Sequence, residues 1–336
     1  MAWSLTHANL LALLKQKILL PKDSHILMAV SGGQDSLCLA RLLIDLKPKW
    51  QWTLAIVHCD HRWREDSSDN ADHVLALARQ WQLPAWVEVA EDVPGSEAAA
   101  REWRYGRLAT VAQREGCTHV VTGHTESDRA ETVLYNLIRG TGIDGIATLP
   151  WVRSLGDSVG VSLDCCDIKL VRPLLNLSRG ETAAFCQEHQ LPIWEDSSNQ
   201  NLKLRRNRIR QELLPYVKEH FNPQVEKALA QMADISAADT DYLNSQAAQL
   251  FRQCTLQAAD ASWEIDRQLL RSQPLAMQRR VIRRLLQEVL RTSPNFSQIE
   301  KLIGLLEAPN GSQSDPFPGG WIASVRKPLL VLRQIG

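Results

Sequence analysis

Ile26-Leu27-Met28-Ala29-Val30-Ser31-Gly32-Gly33-Gln34-Asp35-Ser36-Leu37-Cys38-Leu39-Ala40 is a short, wholly apolar run, a turn with two glycines, and the start of a second apolar pattern. The run is too short for a helix and suits a strand covered on both faces. The residues after Ser36 have helical spacing, so the stretch predicts strand, turn and helix in succession. Such a turn leaves backbone N–H groups free at a helix N-terminus. Phosphate oxygens can approach them closely, and the helix dipole adds about 0.3–1 kcal/mol per charge. Ser31 and Ser36 add hydroxyl donors. The pattern matches neither the lysine-containing phosphate loop nor the dinucleotide fingerprint. Asp35 stands where a simple anion hole would avoid a carboxylate, which implies a bridging magnesium ion that turns repulsion into coordination.

Outward from this stretch, short apolar runs alternate with helical patterns. Strands are expected at Ile26–Val30, Thr53–His58, Trp86–Val89, Thr118–Thr122 and Ile168–Val171. Between them Ser36–Leu46, Ser68–Gln82, Glu97–Arg114 and Glu126–Arg139 carry apolar residues at three- and four-residue spacing. This predicts a doubly wound, mostly parallel α/β sheet of Rossmann-like type. Gly140–Cys166 reads as a surface loop with one short hairpin. After Pro215 strand signals vanish until the end, and Gln224–Phe251 and Leu275–Leu290 read as long amphipathic helices. The expected division is a domain over 1–215 and a smaller, mainly helical one over 216–336. The second closes in a hairpin of Trp321–Arg326 and Leu329–Arg333 around Lys327-Pro328.

A chain of 336 residues is long enough for two domains. Its 38 Lys and Arg balance 38 Asp and Glu, which excludes a polycation or an acidic tail as organising feature. Residues 1–200 hold 19 basic and 25 acidic side chains, whereas 201–336 hold 19 and 13. No apolar run approaches the roughly 18–20 residues a membrane span needs, and the first 20 residues lack the features of a signal peptide. A cytoplasmic protein with no membrane partner is expected. Seven cysteines (38, 59, 117, 165, 166, 186 and 254) without a C-x-x-C pair fit reduced, buried thiols. His58 and His61 lack the company a zinc site requires.

Ser31-Gly32-Gly33-x-Asp35-Ser36 resembles the loop of the ATP pyrophosphatases, or PP-loop superfamily. Five further segments resemble one branch, the tRNA(Ile)-lysidine synthases, in order and spacing. They are His58-x-Asp60-His61-x-x-Arg64, Glu97-x-x-Ala100-Arg101-x-x-Arg104-Tyr105, Gly123-His124 through Glu131-Thr132, Arg172-Pro173-Leu174-Leu175, and Glu195-Asp196-Ser197-Ser198-Asn199 followed by Arg206–Arg210. The likeness covers about residues 25–215 and is close to the compact form of the family. One position departs: where the family has two aspartates after Gly-His-x-x, this chain has Ser127 and Asp128.

The resemblance implies transfer of free L-lysine to the wobble cytidine of an isoleucine tRNA with a CAU anticodon, through an adenylated base, with ATP and Mg2+. Ser31, Gly32, Gly33, Gln34, Asp35, Ser36 and His58 are then expected to bind ATP, and Asp35 and Asp128 to hold magnesium. On a helix, Asp128, Glu131 and Tyr135 share one face. Asp128 and Glu131 are candidates for handling the metal or the lysine amine, whose pKa of about 10.4 calls for a carboxylate partner. His124 and Arg101 are candidates for stabilising charge on the adenylated base. Arg64 and Arg104, the run Lys203-Leu204-Arg205-Arg206-Asn207-Arg208-Ile209-Arg210, and Arg279, Arg280, Arg283 and Arg284 are candidate tRNA contacts. In isolation such stripes are also ordinary solvated helix faces. A homodimer stays open. The rivals are a tRNA thiolase, another PP-loop ligase that amidates a small metabolite, and an RNA-binding protein that keeps a nucleotide site for regulation.

Overall fold

The computed structural model describes residues 3–156, 168–195, 202, 204–258, 262–290 and 292–334. Cys165, Cys166, Asp196–Asn199 and Lys203, all singled out above, lie outside the described residues. After α1 (Leu5–Lys17) the chain runs β1 (His25–Ala29), α2 (Gln34–Trp50), β2 (Thr53–Asp60), α3 (Ser67–Gln80), β3 (Ala85–Val89), α4 (Glu97–Arg114) and β4 (His119–Thr122). It continues through α5 (Glu126–Ile138), α6 (Ile143–Ile146), β5 (Val152–Ser154), β6 (Lys169–Val171) and α7 (Arg179–Glu188). Next come α8 (Arg205–Arg208), a π-helical turn (Ile209–Leu213), α9 (Leu214–His220) and α10 (Val225–Cys254). The last elements are β7 (Thr255–Gln257), β8 (Trp263–Asp266), α11 (Arg267–Arg271), α12 (Leu275–Leu290), α13 (Phe296–Glu307), β9 (Trp321–Arg326) and β10 (Leu329–Gln334).

Six strands form one sheet in the order β3-β2-β1-β4-β6-β5, parallel except for the edge strand β5. Successive residues of β1 serve opposite faces. Ile26 and Met28 pack into a core with α1, α2, α3 and α7, while Leu27 packs with Tyr105, Leu108 and Val111 of α4. This alternation explains the continuous apolar reading of the strand: both of its faces are covered. Chain order runs from β1 outward to β3, then returns past β1 to β4. The switch point therefore lies between β1 and β4, where ligands settle at the carboxyl ends of α/β strands.

Two compact units divide at Ala237/Ala238, within α10, rather than at the expected 215/216. The basic run before α9 and the first turns of α10 thus belong with the sheet. Ile209 and Leu214 share a small core with Ala130 of α5 and Val225 of α10. The second unit keeps the expected helices and closing hairpin and departs from the expectation in two further strands. The predicted hairpin β9–β10 is there, but β7 and β8 extend it to a four-stranded antiparallel sheet, β7-β8-β10-β9. Its core joins Ile265, Leu330 and Leu332 of the sheet to Val281, Ile282, Leu285 and Leu286 of α12. The surface loop after Gly140 contains α6 and the edge strand β5.

Candidate active site

The turn after β1 is fixed from several directions. Gly32 has φ +86°, and a Cβ there would lie 2.4 Å from Asn70 Oδ1, so only glycine fits on both counts. Asn70 in turn donates to the Ser31 carbonyl (3.0 Å), and the Trp194 N–H donates to the Gly32 carbonyl (3.0 Å). Ser31 N–H donates to Ser36 Oγ (3.1 Å), whose hydroxyl donates to Gly33 O (2.9 Å). Gly33 is the N-cap of α2 and no side chain caps the helix, which leaves its first amides for a ligand. Gly123, at the end of β4, comes so close that a Cβ would meet the Asp35 and Ser36 backbone at 2.9 Å. Ser31, Gly33, Gln34, Asp35 and Ser36 line a cleft of about 810 Å3, large enough for a nucleotide.

Three carboxylates converge on Arg179, at the first position of α7. Its Nε lies 3.3 Å from Asp35 Oδ2, Nη2 2.7 Å from Asp128 Oδ1, and Nη1 2.9 Å from Glu131 Oε1. Arg210 grips Glu131 from the other side at 2.7 and 3.0 Å. Thr182 and Gln34 tie the array to the loop. The Thr182 hydroxyl donates to Asp35 Oδ1, and Gln34 Nε2 donates to Arg179 O (2.8 Å) and Thr182 Oγ1 (2.9 Å). Burial pushes the Asp35 carboxyl above its ordinary range, more than Thr182 and Arg179 pull it back. Burial also opposes the charge of Arg179, but Asp128, Glu131 and Asp35 together hold it more firmly protonated than usual.

Asp128 also closes the cap of α5, where its Oδ2 accepts from Thr125 N–H (2.9 Å) and hydroxyl (3.0 Å). It lines the cleft; Glu131, almost wholly buried, does not, and serves as the shared anchor of Arg179 and Arg210. Ser127, the residue that departs from the family pattern, faces elsewhere. Its hydroxyl donates to Glu226 (2.8 Å) and accepts from the Arg179 N–H (3.3 Å).

Burial disfavours the charged form of the histidines in the cleft. His58 Nδ1 donates to the Val30 carbonyl (2.9 Å), and burial lowers its pKa. His124 Nδ1 pairs with Thr122 Oγ1 (2.8 Å), and burial, then Arg172, Arg101, Arg104 and Arg206, drive its pKa well down. His124 is therefore a hydrogen-bonding group, and positive charge around it comes from guanidiniums, Arg101 among them.

The basic candidates separate. Arg64, Arg101, Arg104, Arg206 and Arg210 line the cleft, Arg64 beside Asp66 (3.2 Å). Arg205 and Arg208 are exposed, and Arg208 pairs with Glu212 (3.0 Å). The run thus has two faces, one turned to the cleft and one to solvent. In the second unit Arg279 binds Glu300 (2.7 Å), Arg280 donates to Asn244 (2.6 Å), and Arg284 lies over the Phe251 ring; Arg283 shares helix α12 with them.

Sequence reasoning missed Arg179, Thr182, Asn70 and Trp194. The available signal for the first two was a capping box, Ser178-x-x-Glu181, just after Arg172-Pro173-Leu174-Leu175.

A family model described as a PP-loop domain matches residues 5–217, and one described as a TilS substrate binding domain matches 265–329. A tRNA(Ile)-lysidine synthase of Nostoc sp. is 51% identical over 99% of this chain and 98% of its own length. The chain belongs to the tRNA(Ile)-lysidine synthase family. Its relatives of the same name in Synechocystis sp. and Thermosynechococcus vestitus are 49% and 50% identical, over 98% and 96% of this chain and 98% and 93% of their own lengths. Among solved structures, the U34-tRNA thiolase NcsA from Methanococcus maripaludis superposes with a TM-score of 0.56 at 17% identity, covering 69% of this chain and 78% of that one. That likeness concerns the fold. The PP-loop match assigns ATP use to the first unit. Among the described residues no helix is long and apolar enough to cross a membrane.

Proposed function

We propose that this chain ligates free L-lysine to C2 of the wobble cytidine in the CAU anticodon of isoleucine tRNA. The observation that carries the reading is the near-complete coverage by lysidine synthases at about half identity. In the first step the cytidine O2 attacks the α-phosphorus of ATP, and the bond to the β-phosphate breaks to release pyrophosphate. In the second the lysine ε-amine attacks C2, AMP departs with the former O2, and the amine loses a proton.

The free amides of α2 suit the ATP phosphates, and the hydroxyls of Ser31 and Ser36 hold the loop that presents them. The neutral His58, protonated on Nδ1, keeps Nε2 as an acceptor suited to an adenine amino group. Arg101, Arg104 and Arg206 offset negative charge as the base is adenylated, while the neutral His124 contributes a hydrogen bond. Asp128, at the cleft wall, suits the lysine ammonium and its proton; Glu131 positions Arg179 and Arg210.

Asp35 and Asp128 offer hard carboxylate oxygens beside the phosphate loop. That donor set suits magnesium, which takes one or two carboxylates with substrate phosphates and water, and the ion would share those oxygens with Arg179. When bound, it neutralises charge on the departing pyrophosphate. The exposed Arg205 and Arg208 and the α12 arginines are proposed tRNA contacts.

The test is incubation with ATP, labelled lysine and isoleucine tRNA. Label in the tRNA, dependent on ATP and absent with methionine tRNA, is the expected outcome. Label entering with other free amines but not with lysine would overturn the reading. ATP-dependent sulfur transfer without lysine would favour the thiolase alternative.

A further inference from the structure

Beside the nucleotide cleft the first unit contains a smaller cavity of about 210 Å3, bordered by Arg101, Arg153 and Arg172, with Asn136 and Asp144 also in its wall. Arg101 borders both spaces. Arg172 is fully buried. Its Nη1 donates to the Pro150 carbonyl (2.7 Å); among the described residues Nε and Nη2 make no close hydrogen bond, the Tyr105 hydroxyl being only a weaker partner of the guanidinium, and the buried Nε of Arg153 has no partner. A buried, unpaired guanidinium edge costs several kcal/mol unless something accepts its hydrogen bonds. The surrounding charge sharpens the requirement. Arg101, Arg104 and Arg153 all stack over the ring of Tyr105 (5.0, 5.6 and 5.2 Å), whose buried hydroxyl lies beside the Arg172 guanidinium without a close hydrogen bond among the described residues. Burial alone would push that hydroxyl up, but Arg101, Arg104, Arg172 and Arg153 outweigh it and bring its pKa down to about 8. Among the described residues, Asp144 is the one carboxylate in the cavity wall. The surplus of cations calls for an anion.

The size narrows the choice. Ligand pockets usually span about 300–1,000 Å3, so this cavity suits one group of a larger molecule rather than a whole nucleotide. Phosphate and carboxylate are the anions whose geometry planar guanidiniums match, and phosphate is the one that a tRNA substrate carries along its whole length. The phosphates of ATP have their own place at the α2 N-terminus, whereas an RNA continues past the reacting base and carries a phosphate on either side of it.

We propose that this cavity is a second phosphoryl site, which holds a backbone phosphate of the RNA next to the nucleotide presented in the cleft. It rests on the reading that the substrate is a tRNA. Bound there, the phosphate draws its hydrogen bonds from Arg153 and Arg172 and fixes the register of the strand, while Arg101 stays shared with the reacting base.

Arg153→Gln tests this with an isoleucine-tRNA anticodon stem-loop. Affinity falls about tenfold, the loss of one charge-assisted contact, and the slope of log affinity against log salt falls by about 0.7–0.9. The Kd for ATP is unchanged. Neutral methylphosphonates placed one at a time around the target cytidine weaken wild type at one position and leave Arg153→Gln indifferent there. Arg172→Lys, with its melting temperature checked, weakens RNA binding as well, since an ammonium cannot supply two edges. Unchanged RNA affinity and slope in Arg153→Gln overturns the proposal. So does weakened competition by pyrophosphate with RNA binding intact, which would assign the cavity to a reaction product. If wild type binds the stem-loop with this sensitivity but transfers no lysine, the functional reading fails and the phosphate site stands.

Discussion

Arg179→Gln removes the one side chain, among the described residues, that touches all three carboxylates. Of the partners left behind, Glu131 keeps both bonds from Arg210, and Asp35 keeps Thr182. Asp128 keeps its cap contacts with Thr125 and a longer approach from Arg210 Nη2 at 3.7 Å. The cluster passes from three carboxylates against two guanidiniums to three against one. Removing one partner of a buried ion pair costs about 3–5 kcal/mol. Arg179 is 28% exposed and Asp35 and Asp128 are 17% and 19% exposed, so water recovers part of this, and about 2–3 kcal/mol remains. For a unit of this size that is a fall of roughly 5–10 °C in melting temperature. Lysine-dependent AMP release should drop further than stability explains, by about 10²–10³-fold, because Asp35 and Asp128 then repel each other beside the phosphate loop. Arg179→Lys should recover part of the stability and little of the rate, since a point charge cannot span three acceptors. The double variant with Asp128→Asn should show about 1–3 kcal/mol of coupling in a thermodynamic cycle. A variant Arg179→Gln that melts within a degree of wild type and turns over at its rate would refute the claim that this guanidinium organises the site.

Tyr105→Phe should change the pH dependence of stability. With a folded pKa of about 8 against about 10 unfolded, ionisation of Tyr105 favours the fold. Wild type should therefore gain on the variant as pH rises from 8 to 10, by up to about 2–3 kcal/mol. Parallel melting curves across that range would contradict it. Gly123→Ala drives a methyl into the Asp35 and Ser36 backbone, so the KM for ATP should rise roughly tenfold at a cost of about 1–3 kcal/mol in stability, read by steady-state kinetics and melting. Arg206→Gln, which faces the cleft, should lower the rate of adenylation. Arg205→Gln, exposed, should only flatten the salt dependence of tRNA affinity; reversed effects would place the run the other way round.

The sequence made the central strand and its loop legible because burial on both faces leaves an uninterrupted apolar run, and because glycines at Gly32 and Gly123 answer to steric contacts that no other residue satisfies. It hid β7 and β8 for the opposite reason. Both alternate apolar and polar residues, but over only three or four positions, with Ile265 the single fully buried side chain, which is too short a run to stand out as a strand. Arg179 escaped because it comes from 144 residues beyond Asp35, outside every segment that carries the family resemblance. A hint was present in its position. A cation at the first turn of a helix is opposed by the helix dipole, so its place there implies anions supplied from elsewhere. The basic run near Arg208 was legible as composition but not as orientation, since which cations turn inward depends on α8 packing against α5.

The charge asymmetry of the chain has a different origin from the one its halves suggest. Cut at residue 200, the parts differ by 19 basic and 25 acidic against 19 and 13. Cut where the structure divides, the first unit holds 26 and 29 and the second 12 and 9, so half of the imbalance disappears. Most of the cations that move across the boundary are those at Lys203–Arg210, and two of them, Arg206 and Arg210, face the cleft that contains Asp35 and Asp128. Opposite charges are therefore gathered within one site, where Asp35 and Asp128, the carboxylates proposed to meet a metal or an ammonium, are both held by Arg179. A site built this way exchanges partners as it works. On the proposed function, substrate phosphates would compete with the carboxylates for Arg179 and Arg210, and a bound cation would compete with the arginines for Asp35 and Asp128. Loading ATP with its metal should accordingly loosen the Arg179 cluster, which makes binding of the two cooperative.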